Sequence, residues 1–436
     1  MNISKTCRTV WVPSFILLSC ASAHADFIKD STLSLGLRNY YYSNDYRSGH
    51  TGPNRTEEWG QSFRLDLQSG YTQGTVGFGV DALGMLGVKL DSGGGRHQGG
   101  SMLPSDGEGV ADEWTRLGLT FKAKASKTEA RVGTLRPKLP ILVANDGRLL
   151  PQTFQGAMVT SEDIPGLTLT AGKLDKSTGR ASSDRVGLAV AGGREASDAF
   201  YFAGFDYALT DNLKAQYYEA RLEDYYRQQF VGALHTWKIT NDQTLTTDLR
   251  YFRTRAQGAN AAGTPGYQAS GLTRNNDGEI DNDTWSAAVI YDVSGHNFML
   301  GYQSVSDGSN FVQLNQGSLD GTSDSAGTSL YLYTDRLATS FIRAGQRTTF
   351  AQYGYNFAAV GIPGLNAALM YLDSDNIRTA GRRGEESERD FTLSYVIQGG
   401  VFKGLGFTWL NGLLQSDVVP AQDQNRVIIN YTAKLF

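Results

Sequence analysis

Residues 31–42, STLSLGLRNYYY, alternate strictly between two unlike faces. Leu33, Leu35, Leu37 and Tyr41 fall on one side, and Ser34, Gly36, Arg38 and Tyr40 on the other. A period of two is the mark of a β-strand, and an apolar face backed by a polar one separates two different solvents. The pattern recurs to the end of the chain in units of roughly ten residues divided by turns or polar loops, which is the signature of a transmembrane β-barrel. No segment after the N-terminal leader approaches the ~20 consecutive apolar residues of a membrane helix. A mean hydropathy of −0.33 is compatible with this reading, because only alternate strand residues face lipid.

Working outward from that stretch, the preceding residues read as an export signal. Lys5 and Arg8 precede an apolar run, Val10–Ala21, and Ala23-His24-Ala25 has the form of a cleavage site, so the mature chain is expected to begin at Asp26. The competing reading is a lipid-attachment box at Leu17-Leu18-Ser19-Cys20, which Leu18 fits poorly. Cys7 and Cys20 both fall in this segment, so residues 26–436 hold no disulfide and no thiolate metal site. A single barrel domain is expected over 26–436, its strands held by closed hydrogen bonding. The 51 glycines and 22 tyrosines suit turns and interfacial aromatic girdles, and a net charge of −4 argues against a nucleic-acid partner.

Connections alternate in length. Short ones include Ser69–Gly74, Ser161–Gly166, Leu209–Leu213, Thr240–Thr244, Ser294–Asn297, Ile362–Gly364 and Gly399–Gly404. Long ones include Ser43–Glu58, Asp91–Ala111, Arg136–Gln152, Asp175–Asp198, Arg255–Asn282, Asp307–Gln346, Asp373–Glu388 and Gln415–Gln424. Short periplasmic turns opposite long external loops fit an all-β, antiparallel barrel of about 18 strands with both termini periplasmic. Leu330–Ile342 can be read as strands or as loop. The last strand, ending at Phe436, resembles an outer-membrane assembly signal and implies a barrel-assembly machinery as partner, although Lys434 stands where an aromatic is usual.

Two constellations carry chemistry. Arg38, Arg64, Arg131, Arg250 and Arg426 all lie on the polar phase of their strands. A cation on the lipid face near the midplane costs about 2–4 kcal/mol, so these side chains belong in the lumen. There they form a track for carboxylates or, alternatively, pair with wall acids such as Asp66, Asp81 or Asp248. The second is Arg136–Gly156, RPKLPILVANDGRLLPQTFQG: three prolines and Asn145-Asp146-Gly147 forbid a regular strand, yet the segment is apolar. It is expected to fold against the inner wall as a constriction loop, with Lys138 on its way in and Asp146 and Arg148 near its tip; the alternative is an external loop packed on other loops.

The chain resembles the OprD family of substrate-specific outer-membrane porins. The resemblance rests on Leu37–Tyr42 (LRNYYY), Gly74–Gly94 (GTVGFGVDALGMLGVKLDSGG), Val132–Gly156 with its NDGRLLPQTF core, Ser161–Gly172 (SEDIPGLTLTAG), Leu222–Tyr226 (LEDYY) and Ala351–Gly364 (AQYGYNFAAVGIPG). It implies an 18-stranded monomeric barrel whose third and seventh external loops, here 136–152 and 307–346, fold inward. It also implies a ladder of basic wall residues, mapped to Arg38, Arg64, Arg131, Arg250 and Arg426, and substrates bearing a carboxylate. The expected function is passive uptake of amino acids or small peptides across the outer membrane of a Gram-negative bacterium, among lipid and lipopolysaccharide. Asp146, Asp307 or Asp335 would hold an amino group. The alternative is an aromatic-acid porin, or a general or sugar porin. The last needs a lumenal aromatic track, whereas strand aromatics other than Tyr40, Tyr42 and Phe350 mostly share the lipid phase.

Nothing points to an enzyme or a cofactor. No G-x-S-x-G elbow occurs, His50, His97, His235 and His296 lack metal-ligand spacing, and Asn275–Asp283 lacks the ends of a calcium loop. Strand alternation from Ser31, a few residues after Asp26, leaves no room for the plug expected of an energy-coupled receptor.

Overall fold

The computed structural model describes residues 27–48, 54–92, 95–97, 102–107, 109–319 and 327–436. The segment read as an export signal lies outside them. The chain forms one closed antiparallel barrel. Its strands are β1 (Thr32–Tyr46), β2 (Arg55–Gln68), β3 (Gly77–Asp91), β4 (Glu113–Ala125), β5 (Thr128–Leu135) and β6 (Thr153–Ser161). Then come β7 (Leu167–Thr178), β8 (Phe200–Thr210), β9 (Leu213–Leu222), β10 (Tyr226–Lys238), β11 (Gln243–Ala256) and β12 (Asp281–Val293). The last are β13 (His296–Val305), β14 (Arg347–Asn356), β15 (Leu365–Arg378), β16 (Arg383–Val396), β17 (Gly406–Ser416) and β18 (Gln422–Lys434). Each pairs with its sequence neighbours, and β1 closes on β18 from Ser34↔Lys434 to Tyr46↔Gln422, so no strand edge is exposed at the seam. The two-residue strand Val186–Gly187 adds a flap to β7.

The alternation of the opening stretch is realised all round. Leu117, Phe121, Val231, Leu249 and Leu300 project outward and are among the most exposed apolar side chains of the strands, while Arg116, Thr120, Asp248 and Arg250 point in and are buried. The turns at the end bearing the termini are short, as at 211–212 and 294–295. Several connections expected to be long are tight. Residues 373–378 and 383–388 are strand, leaving a turn at 379–382, and Asp45↔Arg55 is already a paired position. Strands here run beyond the membrane into water, where both faces are polar, and the alternation fades before the strand does.

Residues 136–152 enter the lumen between β5 and β6. Gly133 permits the departure: its φ is +135°, and a Cβ there would land on the Leu119 carbonyl oxygen. Because β5 stops at Leu135 and pairs with β4 only from Thr120↔Gly133 onward, the outer half of β4 has no neighbour on that side. The resulting notch in the wall, about 410 Å³, lies between Thr115–Gly118, Thr153, Thr178 and Arg185.

Residues 306–319 and 327–346 belong to the other inward loop. Leu330–Ile342 is loop rather than strand, apart from residue-scale bridging beside it at Val143↔Ser329. Strand aromatics mostly face outward, as at Trp59, Phe121, Tyr251 and Trp285, but the inward ones go beyond Tyr40, Tyr42 and Phe350. Phe154, Phe200, Phe202, Phe230 and Phe252 are buried in the interior, in one cluster with Ile141 and Leu142 of the first inward loop and Phe311, Leu314 and Leu332 of the second. Where inward loops cover the wall, a strand is apolar on both faces, and phase no longer separates lipid from lumen.

Candidate functional site

The two inward loops clasp each other. Asn145 Nδ2 donates to the Gly327 carbonyl at 3.2 Å, and Gln152 Nε2 to the Asn315 carbonyl at 3.0 Å. On the far side, Leu149 and Leu150 pack with Tyr40, Tyr42, Met85 and Trp114 of the β1–β4 wall. The expected constriction loop therefore crosses the interior and is anchored at both ends, and the turn 145–148 presents its charges to the lumen.

Arg38 on β1 holds that turn. Its Nη1 meets Asp146 Oδ1 at 2.9 Å and donates to the Arg148 carbonyl at 2.6 Å, while Nε donates to Asn430 Oδ1 at 3.1 Å. Tyr40 Oη donates to the Gly147 carbonyl at 3.1 Å, and the Arg148 guanidinium lies over the Tyr42 ring, 4.8 Å from its centre. Arg136, which the sequence reading did not single out, pairs with Asp66 at 3.2 Å.

Arg64 sits among these groups, within electrostatic reach of Arg38, Arg136, Asp66 and Asp146. Among the described residues its guanidinium has no hydrogen-bond or ion-pair partner, because both nearby carboxylates are engaged by other arginines. An arginine fork left open has the geometry and charge that pair with a carboxylate.

The other expected rungs differ. Arg131 pairs with Glu129 and remains 40% exposed, toward the terminal end of the barrel. Arg250 is buried: Asp248 meets its Nη2 at 2.5 Å, the Tyr331 carbonyl accepts from Nη1 at 3.0 Å, and the guanidinium lies 4.0 and 4.2 Å from the Tyr331 and Tyr333 ring centres. Arg426 is buried too, donating to Gln424 Oε1 and to the Leu337 carbonyl, both at 2.7 Å. These two fasten the second inward loop to the wall. Lys138 is exposed in a miniature hairpin, Lys138–Leu139 against Leu142–Val143, and is not brought into the cluster around Arg64.

Two of the acids named from sequence are committed elsewhere. Asp307 pairs with Arg383 at 2.5 Å, and Asp335 accepts from the Leu330 amide at 2.9 Å and the Ser340 hydroxyl at 2.8 Å. Burial raises the Asp335 carboxyl above the ordinary range despite those donors, and burial lowers the neighbouring Arg336 guanidinium against the pull of Asp390, Glu388 and Asp335. Glu388 on β16 caps the same loop, accepting from the amides of Ala338 (2.8 Å) and Thr339 (3.1 Å). On the basic side, Arg180 is buried beside Arg148 and Arg426, and desolvation first, then those cations, pushes its guanidinium down to about 9. Its Nη1 donates to Asn145 Oδ1 at 3.2 Å. No local signal marks Arg180, since only the packing of 179–199 brings it in. Arg116 and Lys122, by contrast, alternate with Leu117, Leu119 and Phe121 and were readable from phase.

The chain matches the family model described as outer membrane porin, OprD family, over residues 25–435. It is 36% identical over 441 residues to the porin-like protein GalP of Pseudomonas putida, covering 98% of this chain and 99% of that one. It is 33% identical over 425 residues to Porin D of Pseudomonas aeruginosa, covering 93% of this chain and 91% of that one. Among solved structures, Pseudomonas aeruginosa OccK8 (OprE) superposes with a TM-score of 0.85 at 46% identity, covering 94% of this chain and all of the other.

Proposed function

This chain belongs to the OprD family of outer-membrane porins, and from that premise we propose that it passes small carboxylate-bearing solutes, held in transit by Arg64 and its neighbours. The channel is a substrate-selective porin in the outer membrane of a Gram-negative bacterium. The observation that carries the substrate class is the open Arg64 guanidinium between two arginines that already hold acids. A carboxylate arriving there gains a charge-assisted fork at little cost in broken protein contacts. Arg131 lies on the terminal side and Arg148 at the turn above, so a solute carboxylate has successive cations to exchange between.

The finer reading, amino acids or small peptides, is supported by Asp146. Its Oδ1 engages Arg38 while the side chain stays 47% exposed, leaving oxygen for a substrate ammonium. We read the barrel as a monomeric, non-enzymatic channel that uses no cofactor. Liposome swelling with arginine, glutamate, benzoate and a neutral solute of equal size tests the proposal. Carboxylates should enter fastest, and equal rates for neutral and carboxylate solutes would refute it. Asp146→Asn should slow amino acids but not benzoate if the finer reading holds.

A further inference from the structure

The outer face of β7–β11, near the loop end, carries a band of cations that the passage does not use. The register is continuous: Lys173↔Tyr201, Tyr201↔Arg221, Arg221↔Arg227 and Arg227↔Arg255 are directly opposed pairs on successive strands. Two of them set arginine against arginine, an arrangement that destabilises a sheet unless an anion lies between. Arg253 lies two residues below Arg255 on the same face.

Internal acids answer only part of this charge. Arg227 meets Glu219 at 2.8 Å, and Arg255 meets Asp283 at 2.5 Å and Asp281 at 3.4 Å. Arg221 reaches Glu223 only at 4.0 Å and otherwise leans on the Gln257 carboxamide oxygen. Lys173 has the Tyr201 ring, 5.3 Å away, and Arg253 has no hydrogen bond or ion pair among the described residues. Arg221 and Arg227 are each more than half exposed.

Depth identifies what lies against this face. Tyr201 on β8 and Trp285 on β12, both exposed, mark the aromatic girdle, which falls four residues along the register row between them, as strands tilted 35–45° require. Arg221, Arg227, Arg253 and Arg255 then lie at the girdle or beyond it, within about 10 Å at ~3.3 Å per residue. That is headgroup depth. From Lys173 to Arg255 the band spans about 19 Å, four strand spacings of ~4.8 Å.

We propose that this band is a binding site for the phosphates of lipid A, the anchor of lipopolysaccharide in the outer leaflet. Guanidinium forks suit phosphate oxygens, and a phosphate seated between Arg221, Arg227 and Arg255 relieves both opposed pairs. The test uses the purified barrel in zwitterionic detergent with bis-phosphorylated lipid A and its dephosphorylated form, affinities read by native mass spectrometry. The wild type should bind the phosphorylated form at least tenfold more tightly. The triple variant Arg221→Gln/Arg227→Gln/Arg255→Gln should lose that preference. A control, Arg55→Gln/Arg347→Gln/Arg389→Gln, removes outward cations elsewhere and should keep it. Should the site triple fail to fold, Arg227→Gln alone removes the shared member of both opposed pairs and should reduce the preference at least threefold. Equal affinity for the two lipids, or a site variant that binds like the wild type, overturns the proposal.

Discussion

Replacing Arg64 with glutamine separates permeation from folding. The two acids nearest it are held without its help, Asp66 by Arg136 at 3.2 Å and Asp146 by Arg38 at 2.9 Å, so its loss strands no buried carboxylate and should leave barrel stability unchanged. A solute carboxylate about 4 Å from the guanidinium gains ~1 kcal/mol in bulk water and ~4 kcal/mol at an effective dielectric near 20, and the half-buried lumen lies between those limits. A charge-assisted hydrogen bond nets about 1.5–3 kcal/mol. Taking ~2 kcal/mol, Arg64→Gln should weaken carboxylate occupancy about 30-fold, at 1.4 kcal/mol per factor of ten. Single-channel recording in a salt gradient should show reversal potentials shifted toward cations, and liposome swelling should slow for glutamate or benzoate relative to a neutral solute. The effect should shrink in 1 M salt, where the screening length is ~3 Å. Unchanged ion selectivity together with unchanged carboxylate uptake would refute the reasoning.

Arg148→Ala removes the charge at the turn without unhooking Arg38, which grips that turn through the Arg148 main chain. Single-channel conductance should rise and carboxylate preference fall, and unchanged selectivity would remove Arg148 from the pathway. Arg250→Gln leaves Asp248 buried without its cation, holding only the Tyr333 hydroxyl at 2.8 Å, and removes the guanidinium that donates to the Tyr331 carbonyl, at a cost of about 3–5 kcal/mol. It should lower the temperature of the heat-modifiable gel shift and add gating noise from the released loop, where Arg64→Gln does neither. Gly133→Ala forces a Cβ against the Leu119 carbonyl at φ +135° and should reduce the yield of folded barrel, measured by the same gel shift.

The barrel was readable because lipid imposes one rule on every strand. The inward loop 136–152 was readable because it broke that rule while staying apolar, and the bounds read from sequence, Arg136 and Gln152, are the residues between β5 and β6. The rule failed where its physical cause was absent. Above the membrane both faces of a strand carry polar residues, so 373–378 and 383–388 looked like loop, and with them went the phase that would have placed Glu386 and Glu388 on the inner face, where the second inward loop buries them. Beneath the inward loops both faces are dry, so the polar mark of the lumen is missing where Phe230 and Phe252 line it.

Phase also fixes only which side of the wall a charge occupies, not whether it remains free. Arg64 and Arg250 illustrate the limit, since each has an acid two residues away on its own face, Asp66 and Asp248. On β11 the acid stays with its strand neighbour, and the pair is sealed under Tyr331 and Tyr333. On β2 the acid is taken by Arg136, the first residue of the inward loop, and the strand arginine is left open. The same i, i±2 spacing thus yields an anchor in one place and an open cation in the other. What separates them is which loop arrives overhead and with which charge. On the proposal that Arg64 holds solute carboxylates, the inward loop itself frees that cation, so the identity of residue 136 should bear on selectivity as much as the identity of residue 64. Arg136→Gln should therefore let Arg64 close on Asp66 and reproduce much of the selectivity loss of Arg64→Gln while leaving Arg64 itself in place. An Arg136→Gln channel with wild-type anion preference would show instead that Arg64 stays open for reasons other than competition for that carboxylate.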